Sequence, residues 1–176
     1  MASTAKKTFL SAAVLALVAG GAAAPDIMDQ FIREKESSDS YELKAYRDGA
    51  KVWTVCDGKT KGVTKDTVMT KAQCDEWRKT EIGQRLAFVH SIIKVDMSEP
   101  ALAGVGSWCF NVGNGGCKKS TTVRLINQGR QVDGCKAMLQ WRYITRESKK
   151  IDCSTKQPYC TGLWERRQGE SELCQL

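Results

Sequence analysis

The sequence predicts an α+β fold, a small β-hairpin lobe set against a mainly helical lobe with a cleft between them. Three observations lead there. Ile27, Met28, Phe31 and Ile32 repeat at helical spacing just after Pro25. The run from Glu42 to Gly58 alternates and breaks at Asp48-Gly49, a turn signal between two strand-like pieces. From Thr70 onward, helix caps and helical spacing dominate. A chain of 176 residues suits one such domain with its own core.

Taken in order, the elements have separate reasons. Lys6 and Lys7 precede an apolar run of 17 residues, Thr8 to Ala24, and then Pro25. This charge-then-apolar layout is that of an export segment. Residues 1–24 are therefore expected to be a signal and 25–176 a single folded domain. The run is at the short limit for spanning a bilayer and holds seven Ala and two Gly, so its hold on lipid is weak. Small residues before Pro25 offer a cleavage site; an uncleaved anchor in the inner membrane is the alternative.

The first amphipathic helix ends near Glu36, and the hairpin follows. Thr70-Lys71-Ala72-Gln73 is a capping box, with Ile82, Leu86, Val89 and Ile93 at helical spacing behind it. A long helix starts there. Ser98 with Pro100 opens another, expected to stop at the glycine-rich stretch beginning at Asn111. Shorter helices are expected over Ser120–Gly129, with Gly129 as C-cap, over Gly134–Trp141 and over Thr161–Cys174.

All eight cysteines lie beyond the apolar run. In an exported chain an even number reads as disulfides, with Cys109–Cys117 and Cys153–Cys160 as plausible local loops and the full pairing left open. No C-x-x-C pair occurs and His90 is the only histidine, so neither a metal nor a cofactor is expected. One histidine also argues against a zinc amidase or a Ser-His-Asp hydrolase. The net charge is +7, and +5 once Lys6 and Lys7 are removed. Basic excess suits an anionic partner such as cell-wall polymer or lipid headgroups, whereas scattered cations without an aromatic platform speak against nucleic acid.

Carboxylates crowd the stretch Glu34-Lys35-Glu36-Ser37-Ser38-Asp39-Ser40-Tyr41-Glu42 ahead of Asp48. Two carboxyl groups across a cleft can hydrolyse a glycosidic bond: a protonated one gives its proton to the leaving oxygen, an ionised one handles the attacking water. The segments DQFIREKE, LKAYRDG, VWTVC, SWCFNVGNGGC, STTVRLINQG and GLWERRQGESELC together resemble the phage-type lysozymes, glycoside hydrolase family 24. The likeness is strongest to exported, disulfide-containing endolysins of Gram-negative phages and prophages, and runs from Asp26 to Cys174.

That resemblance implies a lysozyme-like fold, action on peptidoglycan in the host periplasm, a monomer, and an N-terminal signal-arrest-release segment. It also implies a catalytic acid at the end of the first helix, a catalytic Asp at Asp48 and a water-positioning Thr at Thr54, the arrangement of an inverting enzyme. The family spacing counted back from Asp48 lands on Asp39, but the helix-end motif favours Glu36 as the acid with three extra residues in the following loop. Asp39 is the alternative, and Glu42 a weaker third. A relative that binds the wall without cutting it is the competing reading. Asn111, Arg166 and Arg167 are candidate substrate-binding residues, the two arginines alternatively forming a helix-surface ion pair with Glu170. Lys59 stands where many relatives have a histidine, and His90 reads as structural.

Overall fold

The computed structural model describes residues 8–35, 42–48, 51–56, 58–155 and 157–176. Within the apolar N-terminal run, Ser11 caps a helix α1 (Ala12–Ala19), its hydroxyl accepting from the Val14 amide. Gly20-Gly21 ends it, and α2 (Ala24–Lys35) begins at once, its first amide donating to Glu99. No helix among the described residues is long and apolar enough to cross a membrane. Leu10 and Val14 are instead buried against the protein's core.

α2 turns Ile27, Met28, Phe31 and Ile32 inward, the face its spacing predicts. The hairpin lobe comes next, β1 (Tyr46–Arg47) antiparallel to β2 (Trp53–Thr54). A third extended piece joins it through the Lys44–Val68 bridge. The capping box at Thr70 and Gln73 opens α3 (Lys71–Ile92). The Cys56–Cys74 disulfide ties the start of α3 to the strand side, over a small cluster with Val55. Arg78, 1% exposed, donates to Asp29 at 2.7 Å and Asp75 at 2.8 Å, and so locks α2 to α3.

α4 (Glu99–Lys118) starts at Ser98 as expected but does not stop at the glycine-rich stretch. It breaks at Gly113 (φ 78°) and resumes for a short turn, and the Cys109–Cys117 disulfide spans the break. Only a residue tolerant of positive φ can make that break without strain. α5 (Thr121–Asn127) and α6 (Gln131–Ala137) follow, the latter starting three residues before the expected Gly134 and giving way to a 3₁₀ turn at Met138–Gln140. α7 (Thr161–Cys174) closes the chain, with Cys174 bonded to Cys135. The Cys153–Cys160 loop also forms.

A second hairpin, β3 (Tyr143–Arg146) with β4 (Lys149–Asp152), was absent from the expected elements. Its turn residues are Glu147 and Ser148, both at positive φ, where the usual Asn-Gly signal is missing. The Arg142 guanidinium bonds Asp152 at its root, and Ser154 bonds it as well. Ser154 chiefly, with Arg142, holds the Asp152 carboxyl down to about 2.

Trp108 sits at the centre of the helical core, its ring edge-on to Trp141. α4 and α7 pack so closely that a Cβ on Gly104 would lie 2.7 Å from the backbone of both Glu170 and Cys174. Gly104→Ala must therefore push two helices apart. A loss of about 1–3 kcal/mol in unfolding free energy is expected from urea titration, and an unchanged midpoint would contradict this packing.

Candidate active site

The hairpin presents its functional residues by strand register. Tyr46 pairs with Thr54, and the Asp48 amide donates to the Val52 carbonyl at 3.0 Å, so Asp48 lies opposite Val52. Side chains two apart share a face, which puts Asp48 and Thr54 on one side as diagonal neighbours, about 7–8 Å apart at the backbone.

Val52 links them. Its amide donates to Asp48 Oδ1 at 2.9 Å, while its carbonyl accepts from the Thr54 hydroxyl at 3.1 Å. The carboxylate is thus oriented by a backbone N–H, and the threonine, 2% exposed, is held in a set rotamer. Lys51 takes a positive φ to close the turn. Arg47 steadies the same turn, donating to the Lys51 carbonyl and stacking 4.8 Å over Trp53. No motif flags Val52; only its cross-strand position opposite Asp48 could have done so.

Glu36 and Asp39, the candidate acids, lie outside the described residues, as does Gly49 of the turn. The helix leading to Glu36 is well anchored. Phe31 packs where a side chain on Gly169 of α7 would otherwise sit, and Glu34 accepts from the Ser11 hydroxyl at 2.7 Å. Glu42 is exposed, and its carbonyl accepts from the Cys56 amide. Lys59 lies 6.0 Å over the Trp77 ring. His90 is exposed in the last turn of α3, on the helical lobe.

Arg166 and Arg167 are placed differently from a helix-surface pair. They are 5% and 1% exposed, and both bond Glu170, which is fully buried. Ser107 of α4 also donates to Glu170, at 3.0 Å. Arg167 reaches further, its Nε to the Trp141 carbonyl at 3.0 Å and its Nη2 to the Asn111 side chain. Of the three candidate substrate-binding residues only Asn111 is exposed. The network therefore runs from a buried carboxylate to a polar side chain at the surface. The sequence signal for it was the three- and four-residue spacing from the arginines to Glu170; the burial was not legible.

A carboxylate clamped on a hairpin with a hydroxyl beside it has the chemistry to activate an attacking water. The phage lysozyme family model matches residues 36–170. The SAR-endolysin of Escherichia phage 933W is 41% identical over 169 residues, covering 93% of this chain and 92% of that protein. The probable prophage lysozyme of Escherichia coli K12 is 40% identical over the same shares. Among solved structures, the muramidase domain of SpmX from Asticaccaulis excentricus superposes with a TM-score of 0.73 at 18% identity, over 85% of this chain and 95% of that one.

The buried network makes its own prediction. Glu170→Ala removes the carboxylate shared by two desolvated guanidinium groups and should cost about 3–5 kcal/mol of stability, read from the urea midpoint. A change below about 1 kcal/mol would mean that the network behaves as a surface pair.

Proposed function

The chain belongs to the phage lysozyme family and is an endolysin, a glycoside hydrolase acting on peptidoglycan; from that premise we propose how its residues divide the reaction. Glu36, protonated, gives its proton to the oxygen leaving the N-acetylmuramic acid–N-acetylglucosamine bond. Asp48, ionised, takes a proton from a water that attacks the anomeric carbon from the opposite face. Thr54 holds that water. The products are one new reducing end and one free hydroxyl, with the anomeric configuration inverted. Such a site needs its carboxyl groups about 6.5–9.5 Å apart, leaving room for the water.

The observation that carries this reading is the Asp48–Val52–Thr54 clamp. A carboxylate and a hydroxyl tied through one residue on one face can orient a water between them, and a merely solvated turn has no use for a buried threonine there. Asn111 is proposed to contact the saccharide from the helical side. Arg167, being buried, acts through it, and both arginines act through the α4–α7 packing rather than by touching sugar.

Residues 1–24 are proposed as an export segment that is retained after release from the inner membrane. Two sets of contacts support retention. Leu10 and Val14 are buried in the core, worth about 1.5–3 kcal/mol each. Thr8 and Phe9 both donate to Glu172 of α7, at 2.7 and 2.8 Å. A mature chain starting at Pro25 would expose the surface these residues cover. The folded form is proposed to act as a monomer in the periplasm, without nucleic acid or cofactor.

Two measurements test these assignments. Muropeptide release from purified sacculi should fall by about 10²–10⁴ in Glu36→Gln and Asp48→Asn, and persist in Asp39→Asn. Loss in Asp39→Asn with activity kept in Glu36→Gln would transfer the acid to Asp39. Binding without release by the wild type would overturn hydrolysis itself. Intact mass of the soluble periplasmic form should include the N-terminal segment; a chain beginning at Pro25 would show cleavage instead.

A further inference from the structure

A concavity lies at the end of α3 remote from the hairpin lobe. It is bounded by the last turn of α3, the α4–α5 linker and one face of α5, and has a volume of about 650 Å³. From Cys74, which fastens α3 to the hairpin lobe, to Ser91 at this concavity is about 25 Å of helix. It is therefore separate from the hairpin lobe that carries Asp48 and Thr54.

Its walls carry Lys94, Lys118, Lys119 and Arg124, and its floor is Phe88, Ile92 and Val123. No carboxylate lines it among the described residues. Four like charges around one hollow repel each other, and an anion bound there would relieve that repulsion.

The hollow is also held in shape. Asn127 accepts from the Lys94 amide at 2.7 Å and donates to the Ile92 carbonyl at 2.8 Å. The Lys94 ammonium donates to the Ser91 carbonyl at 2.9 Å. Two carbonyls at the negative end of α3 are thus occupied, so the side-chain cations set the local potential.

Size and lining select among anions. A bare phosphate would fill a small part of this volume, and would leave the apolar floor uncovered. A cationic rim above an apolar floor suits an amphiphile whose charged group meets the rim while its glycerol and upper acyl carbons cover the floor. We propose that this pocket binds the phosphate-bearing headgroup of an anionic phospholipid. Such a contact would keep the released enzyme at the inner-membrane surface, by a site independent of its N-terminal segment.

The test is flotation of the full-length protein with mixed phosphatidylglycerol–phosphatidylcholine vesicles and with phosphatidylcholine vesicles alone. The second lipid reports the hold of the N-terminal segment. Each cation near an anionic surface is worth roughly fivefold in affinity. Lys118→Glu/Lys119→Glu should therefore lower the phosphatidylglycerol-dependent affinity by at least about 25-fold. Lys149→Glu/Lys150→Glu, with the same charge change on β4, should lower it far less. Arg124→Glu, on the exposed face of α5, should cost roughly fivefold and serves if the double variant unfolds.

Equal loss in the pocket and β4 variants would reduce the effect to net charge and overturn the site. So would an absence of preference for phosphatidylglycerol in the wild type. Displacement from vesicles by glycerol phosphate at matched ionic strength, as effectively as by lipid, would leave a free-phosphate site and remove the membrane from the proposal. If the pocket variants lose affinity for sacculi while vesicle binding stands, the partner is the wall and the lipid assignment fails.

Discussion

Glu170 is a carboxylate with no access to water, and much of the helical lobe is arranged around that fact. A buried charge is tolerable only when its partners are close and well directed. Arg166 and Arg167 supply two from within α7, and Ser107 supplies a third from α4. Apolar faces alone would let two helices slide with little penalty, whereas a hydrogen-bonded carboxylate sets their register. Gly104 permits the approach that brings Ser107 within reach. Through Arg167 the same charge orients Asn111 and the Trp141 carbonyl, so a core interaction shapes the surface around Asn111.

The hairpin lobe depends on the rest of the molecule more than on itself. Its two strands are two residues each, too short to stand alone in water. The Cys56–Cys74 disulfide and the small cluster with Val55 fasten it to the first turn of α3. One turn further on, Arg78 fastens α3 to α2 through Asp29. Asp48 on the hairpin and the helix end that leads to Glu36 are thus referred to the same segment of α3. The two-carboxylate reaction proposed above needs that shared reference, since a small misplacement of a reacting group costs rate steeply.

Under the export and release proposed above, the N-terminal segment must satisfy two surroundings with one sequence. Its alanines and glycines give it little hold on lipid, and few of its residues are large enough to matter in a core. Leu10 and Val14 pack inside, Leu17 and Val18 lie partly buried against the same core, and Glu172 captures the backbone ahead of them. A composition with little hold on lipid is still adequate to cover the α2–α7 junction.

The sequence alone determined the element types where local physics decides them. Thr70, Ser98 and Ser120 cap helices because a hydroxyl meets the amide three residues on. Asp48-Gly49 marked the hairpin, Gly129 ended α5, and the short disulfide loops followed from proximity along the chain. Lysozyme family membership was legible too, because its motifs are local strings in a set order. The tertiary structure decided what depends on distant residues. It turned Arg166 and Arg167 inward, carried α4 past Gly113, paired Cys135 with Cys174, and made Val52 the link between Asp48 and Thr54. It also formed the β3–β4 hairpin on a Glu-Ser turn whose strained backbone no local preference predicts. Burial and cross-strand partnership belong to pairs of residues far apart in the chain, and one sequence read along its length records only neighbours.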